Sequence, residues 1–208
     1  MKIEVWSDVV CPWCYVGKRN IEAALAGFPH AAEVEVEWKA YELNPTAPAE
    51  RPGSYVERIA AKYGVPVGEA RARMARIISV GAAAGIDFRF ESVRPGNTFD
   101  AHRLLRHAAT LGRQSEVKER LFAATFTEGR PVGVRETLLE VAAESGMDVD
   151  EARRMLESRA HADAVRADEA EGMELGVQGV PFFVFDRRVA VGGAQPPEVM
   201  LQVLDRVL

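Results

Sequence analysis

Lys2-Ile3-Glu4-Val5-Trp6-Ser7-Asp8-Val9-Val10-Cys11-Pro12-Trp13-Cys14 is the stretch from which the fold is read. Ile3, Val5 and Ser7 alternate with Lys2, Glu4 and Trp6, the period of two expected of a strand. Pro12 then stands where a helix begins, because its missing N–H falls among donors that have no intrahelical partner and its φ is already helical. Ile21, Ala24, Leu25 and Phe28 continue at helical spacing, and Gly27 and Pro29 stop the run. Val34, Val36, Trp38 and Ala40 next alternate with Glu33, Glu35, Glu37 and Lys39, a second strand that turns off at Asn44-Pro45. Strand, helix and strand in this order imply parallel pairing through a right-handed crossover.

From Ser54 to about Gly176 the period is helical and no convincing strand is seen. Asn97 and Asp100 form a capping pattern ahead of Ala101, Leu104, Leu105, Ala108 and Leu111, with Gly112 as the stop. Ser115 opens a run through Phe126 that Gly129 and Pro131 end, Val134 to Ala142 forms another that stops at Gly146, and a further helix begins at Asp148 or Asp150. Strand character returns at Phe182–Phe185 and Val189–Val191, flanking Asp186-Arg187-Arg188 as a hairpin connection. Glu198 to Leu208 closes the chain as an amphipathic helix. The expected fold is α/β and thioredoxin-like, with a large all-helical insertion between its βαβ and ββα halves. Residues 1–53 and 177–208 then make one discontinuous domain, and 54–176 the inserted subdomain.

A chain of 208 residues buries a core without disulfide staples, and 48% hydrophobic with 27% charged residues is the balance of a globular protein. A net charge of -5 argues against nucleic acid and anionic membrane surfaces as partners. No apolar run approaches the roughly 18 residues of a membrane span, and Met1 to Trp6 lacks the pattern of a secretory signal. A cytoplasmic location is therefore expected. Two cysteines three positions apart serve no structural purpose in a reducing compartment.

Their position suggests chemistry. Cys11 sits at the N-terminus of the helix, where unpaired N–H groups and the positive end of the dipole stabilise an anion, so its thiolate should form below the reference value of about 8.5. Pro12 fixes the first helical φ, Trp13 sets a large apolar surface beside the sulfur, and Cys14 lies close enough to release Cys11 from a mixed disulfide. A zinc half-site competes as a reading, but His30, His102, His107 and His161 supply neither a second CxxC nor a suitably spaced pair, so no metal is expected. Inert core cysteines are the other bland reading. Downstream, Pro181 opens the apolar strand Phe182–Phe185, which fits the cis-proline loop that lies against the cysteines in thioredoxin-like proteins. There Val180 would offer backbone hydrogen bonds to an extended substrate.

Ser7-Asp8-Val9-Val10-Cys11-Pro12-Trp13-Cys14 and Gly176-Val177-Gln178-Gly179-Val180-Pro181 resemble the DsbA family, and its cytoplasmic FrnE-like branch most closely. The resemblance covers nearly the whole chain, including Asn97-Thr98-Phe99-Asp100-Ala101-His102-Arg103-Leu104 and Gly192-Gly193-Ala194-Gln195. It implies a thiol-disulfide oxidoreductase or isomerase with Cys11 as nucleophile, Cys14 as resolving thiol and Pro181 as cis proline. Pro12, Trp13, Val180, Asn97 and His102 are then the substrate-contact candidates, and the substrate is a protein or small molecule carrying a disulfide or thiol. No bound cofactor is implied beyond the redox-active pair. 2-Hydroxychromene-2-carboxylate isomerases and kappa-class glutathione transferases share the insertion but carry serine at the position of Cys11. Glutathione as electron donor or co-substrate, held near Asn97 to His102, follows from that kinship. A glutathione-dependent isomerase or transferase and a non-catalytic peptide-binding module are the competing functions. His102, four residues before Arg106 on its helix, otherwise reads as a surface or partly buried polar residue.

Overall fold

The structure is a computed structural model that describes residues 1–51 and 53–208. Strand β1 (Lys2–Ser7) leads into helix α1 (Pro12–Ala26), and β2 (Glu35–Ala40) follows after a short 3-10 turn. Helices α2 (Tyr55–Tyr63), α3 (Val67–Ala83), α4 (Phe99–Thr110), α5 (Gln114–Phe126), α6 (Arg135–Glu144), α7 (Val149–Glu157) and α8 (Ala162–Glu174) then intervene. The chain closes with β3 (Phe182–Phe185), β4 (Val189–Gly192) and α9 (Pro197–Val207). This is the thioredoxin-like α/β fold read from the sequence. The sheet order is β2-β1-β3-β4, with β1 parallel to β2 and the other pairs antiparallel. Val5 therefore lies between Trp38 and Phe183, and the β1 terminus delivers Cys11 to the end of the sheet's central pair.

One sheet face packs Ile3, Val5, Phe183 and Phe185 against Ile21 of α1 and Met200 and Leu204 of α9. The other face is covered by α8. Trp6, on the polar side of the β1 alternation, is fully buried there and donates its indole N–H to the carbonyl of Asp168 at 2.8 Å. α8 can lie this close because position 172 is glycine, where a Cβ would stand 2.7 Å from the Trp6 Nε1. Glu4 shares that covered face and is buried in an ion-pair cluster with Lys39 and Arg187, so both faces of β1 are interior.

Helix ends differ from the sequence pattern by local hydrogen bonding. α4 starts at Phe99 rather than Ala101, because the Asn97 side chain accepts the Phe99 N–H at 3.0 Å. α5 starts at Gln114; the Ser115 hydroxyl caps nothing and instead receives the Trp38 indole N–H. Asp148 is the cap of α7, accepting from Glu151 at 2.8 Å. α1 stops at Ala26 and α9 runs Pro197–Val207. The three-residue connection Asp186-Arg187-Arg188 turns with positive φ at Asp186 and Arg187, and the Arg188 N–H closes it on the Phe185 carbonyl at 2.9 Å.

An apolar cluster built on Leu104, Leu121, Leu138, Val141 and Leu156 also takes in Val9 of the β1–α1 turn. A second cluster joins the insertion to the rest: Cys11, Cys14, Tyr15 and Val16 of the α1 end pack with Tyr55, Met74, Phe88, Phe122 and Phe126. Among the described residues no helix is long and apolar enough to cross a membrane.

Candidate active site

Cys11 is the N-cap of α1 and Pro12 its first helical residue. The cap position makes its sulfur the point where the helix's unpaired donors converge, and the backbone N–H of Cys14 closes back on the Cys11 carbonyl at 3.0 Å. Both cysteines are free thiols; Cys11 is 6% exposed and Cys14 fully buried, so an incoming group meets Cys11 first. Their acidities diverge for physical reasons. A hydrogen bond from the Cys14 thiol lowers that of Cys11; burial opposes it, the backbone N–H groups of Cys14 and Trp13 help, and the charge of Asp8 works against it. Burial pushes Cys14 well above the ordinary thiol value, and the bond it gives to Cys11 holds its proton further. One thiol is thus prepared as a thiolate and its neighbour as a protonated reserve.

Opposite the cysteines, the Val180–Pro181 peptide is cis, and the Cys11 sulfur lies 3.6 Å from the Val180 carbonyl oxygen. The Gly193 N–H holds the Pro181 carbonyl at 2.8 Å, which ties this loop to the end of β4. α1 passes directly over the proline at Gly17, where a Cβ would stand 2.9 Å from Pro181 Cγ and 3.2 Å from Phe183. Pro12, Trp13 and Val180 are half-buried around this cleft, with Trp13 and Val180 packed on the cluster that contains Cys11.

The two candidates from the insertion stand elsewhere. Asn97 spends its side chain on the backbone, donating to the Pro45 carbonyl at 3.1 Å while accepting from Phe99. His102 is 2% exposed, a correction to its reading as a surface or partly buried residue, since the β1–α1 turn closes over α4 at this point. Its Nε2 faces the Asp8 Oδ1 at 3.4 Å.

Three site residues escaped the sequence reading. Asp8 is fully buried under the cysteines; its backbone carbonyl receives the Cys11 N–H at 3.1 Å and its Oδ2 the Leu43 N–H at 2.7 Å. Lys118 of α5 is fully buried between the rings of Trp38 and Phe122, its ammonium 5.7 and 5.1 Å from their centres and without a hydrogen-bond partner. Burial holds it down to about 8 against the attraction of Cys14, Asp8 and Cys11. Tyr55 of α2 is buried with its hydroxyl raised by burial and then by the Cys11 charge. A signal for Lys118 existed in the sequence, since it sits one residue after Val117 and three before Leu121 on an apolar stripe. Among the described residues no group of three or more His, Cys, Asp or Glu side chains is placed to hold a metal ion.

A family model described as a DSBA-like thioredoxin domain matches residues 2–205. The uncharacterized protein YwbO of Bacillus subtilis (strain 168) is 30% identical over 197 residues, which cover 92% of this chain and 90% of that protein. Among solved structures, a probable DsbA oxidoreductase from Streptomyces coelicolor superposes with a TM-score of 0.95 at 42% identity, covering 100% of this chain and 89% of that one. The cytosolic disulfide reductase DsbM from Pseudomonas aeruginosa with GSH is a more distant neighbour, with a TM-score of 0.67 and 19% identity over 99% of this chain and 98% of that one, a likeness of fold.

Proposed function

The chain belongs to the DSBA-like thioredoxin domain family, and from that premise we propose that it is a thiol-disulfide oxidoreductase whose Cys11 is the nucleophile and Cys14 the resolving thiol. The opposed acidities of two adjacent thiols, one at the mouth of the cleft and one behind it, carry this reading. The Cys11 thiolate attacks a substrate disulfide; that bond breaks, a mixed disulfide forms, and the first substrate sulfur leaves as a thiolate that takes a proton. Cys14 then gives up its proton to the second departing substrate sulfur and closes on Cys11, so two electrons pass to the substrate and the protein is left as the disulfide. Two external thiols restore it. Glutathione is the donor or co-substrate we assign, in keeping with the GSH held by DsbM, and a cytoplasmic site of action agrees with that protein's cytosolic description.

Substrates are disulfide- or thiol-bearing proteins or small molecules that lie along the cleft walled by Pro12, Trp13, Val180 and Pro181.

Trapping tests the roles. Cys14→Ala retains the activated Cys11 but lacks the thiol that releases it, so reductant-sensitive adducts should accumulate after acid quenching and alkylation, and mass spectrometry would identify them. Cys11→Ala should trap nothing. Adducts on neither variant, with turnover of a glutathione-dependent isomerisation intact in Cys14→Ala, would replace the oxidoreductase reading by its competitor.

A further inference from the structure

The resemblance makes His102 a substrate-contact candidate, but the cleft geometry does not use it. Its surroundings do. Asp8 Oδ1 and His102 Nε2 are each buried without a hydrogen-bond partner and face one another at 3.4 Å. Two facing, buried, unsatisfied atoms of complementary type need a reason, because each would otherwise forfeit its hydration. Asp8 is anchored on its other oxygen by Leu43 and through its carbonyl by the Cys11 N–H, so its carboxylate cannot swing away.

We propose that His102 is a positioning residue that sets the charge under the redox cysteines, its Nε2 proton neutralising the Asp8 carboxylate so that Cys11 ionises, and its loss leaving that carboxylate to hold the proton on Cys11. The proposal rests on the assignment of Cys11 as the reactive thiolate. It also takes its sign from the structure, since the Asp8 charge opposes ionisation of Cys11. The other groups around the pair come from several elements. Glu42, after β2, is buried and within the field of His102, and is itself held by Arg166 of α8, which also pairs with Glu169. Lys118 of α5 adds a positive charge on the Asp8 side. On α4 itself, Arg103 is spent on Asp100 and on carbonyls of the α7–α8 segment, and Arg106 on Glu37 and Asp168. None of these residues replaces the contact between Nε2 and Oδ1.

The electrostatic argument distinguishes a positioning role from a merely structural one. A residue that only fills space changes the melting temperature when replaced and leaves the acidity of Cys11 alone. A residue that cancels the Asp8 charge moves that acidity, and does so only while Asp8 carries a charge.

The experiment follows the ultraviolet absorbance of the Cys11 thiolate against pH in the reduced full-length protein, for wild type, His102→Gln, Asp8→Asn and the double variant. Circular dichroism confirms folding of each. His102→Gln should raise the Cys11 midpoint by about one pH unit, a tenfold loss of acidity. The equilibrium constant for reduction against a glutathione buffer should fall by the same factor, about 30 mV for a two-electron couple. Asp8→Asn should lower the midpoint, and in that background His102→Gln should change it by less than about twofold in acidity. An unchanged midpoint in His102→Gln, or an equal shift with and without Asp8, overturns the proposal. If His102→Gln does not fold, His102→Asn is titrated in its place, with and without Asp8→Asn, and the same two outcomes decide. A Cys11 that titrates at the ordinary thiol value in wild type refutes the functional reading instead, so the two failures are distinct.

Discussion

Replacing Lys118 by Met tests the buried ammonium directly. Its native value is held at about 8 against 10.5 for the free side chain, a gap that corresponds to roughly 3 kcal/mol of penalty on the charged form. Because the folded value is depressed, the unfolded chain binds more protons between pH 8 and 10.5, and the wild-type protein gains stability as pH rises through that window. Below pH 8 the full penalty applies, so Lys118→Met, which preserves volume between Trp38 and Phe122, should be the more stable protein by about 3 kcal/mol at pH 7. The difference should shrink by the same amount by pH 10.5. Urea unfolding of both reduced proteins across this range is the assay, since the tyrosines common to both largely cancel in the difference. The same variant removes a positive charge that favours ionisation of Cys14, so release of a preformed mixed disulfide should slow. A Met variant less stable than wild type at pH 7, or a gap that does not move with pH, would show that the ammonium reaches water and that the cost argument is wrong.

Iodoacetamide at neutral pH should label Cys11 well before Cys14, read by peptide mass mapping, and labelling in the reverse order would invert the roles. Gly17→Ala forces a methyl to 2.9 Å from Pro181 Cγ and should lower the melting temperature, despite the gain of about 1 kcal/mol in helix propensity, because overpacking costs about 1–3 kcal/mol. An equal or higher melting temperature would mean that the proline loop yields freely. Glu37 is brought down to about 2 by hydrogen bonds from Lys2 and Arg106 in spite of burial, so it contributes stability above its ordinary value of 4.5 that is lost as pH falls toward 2. Glu37→Gln should flatten acid unfolding in that interval, followed by circular dichroism.

The strands and most helices were legible because their cues are local: alternation in β1 and β2, Pro12 at a helix start, glycine stops, and a hairpin around Asp186-Arg187. The cysteines were legible because their spacing carries chemistry by itself. What escaped depends on tertiary placement. Lys118 is a single charged residue on an apolar stripe that only the packing of α5 brings near the cysteines, and Asp8, local to Cys11 in the chain, gains its partner His102 only through the packing of α4. α8 was not separated from the helix before it, since its start is set by a left-handed His161, a backbone state no local pattern announces. Gly17 and Gly172 carry no local cue to their part, which is to let a helix touch Pro181 and Trp6.

The apolar cluster that joins Cys11, Cys14, Tyr15 and Val16 to Tyr55, Met74, Phe88, Phe122 and Phe126 has an implication for ancestry and engineering. The helical segment is not a detachable lid, because excising it would strip water-free walls from the sulfurs and uncover Trp6 together with the rest of the second sheet face. The two parts should melt in one cooperative transition, and a chimera carrying a foreign insertion would inherit a different thiol acidity along with a different groove. Divergence within such a scaffold can therefore retune reactivity without touching the dipeptide between the cysteines.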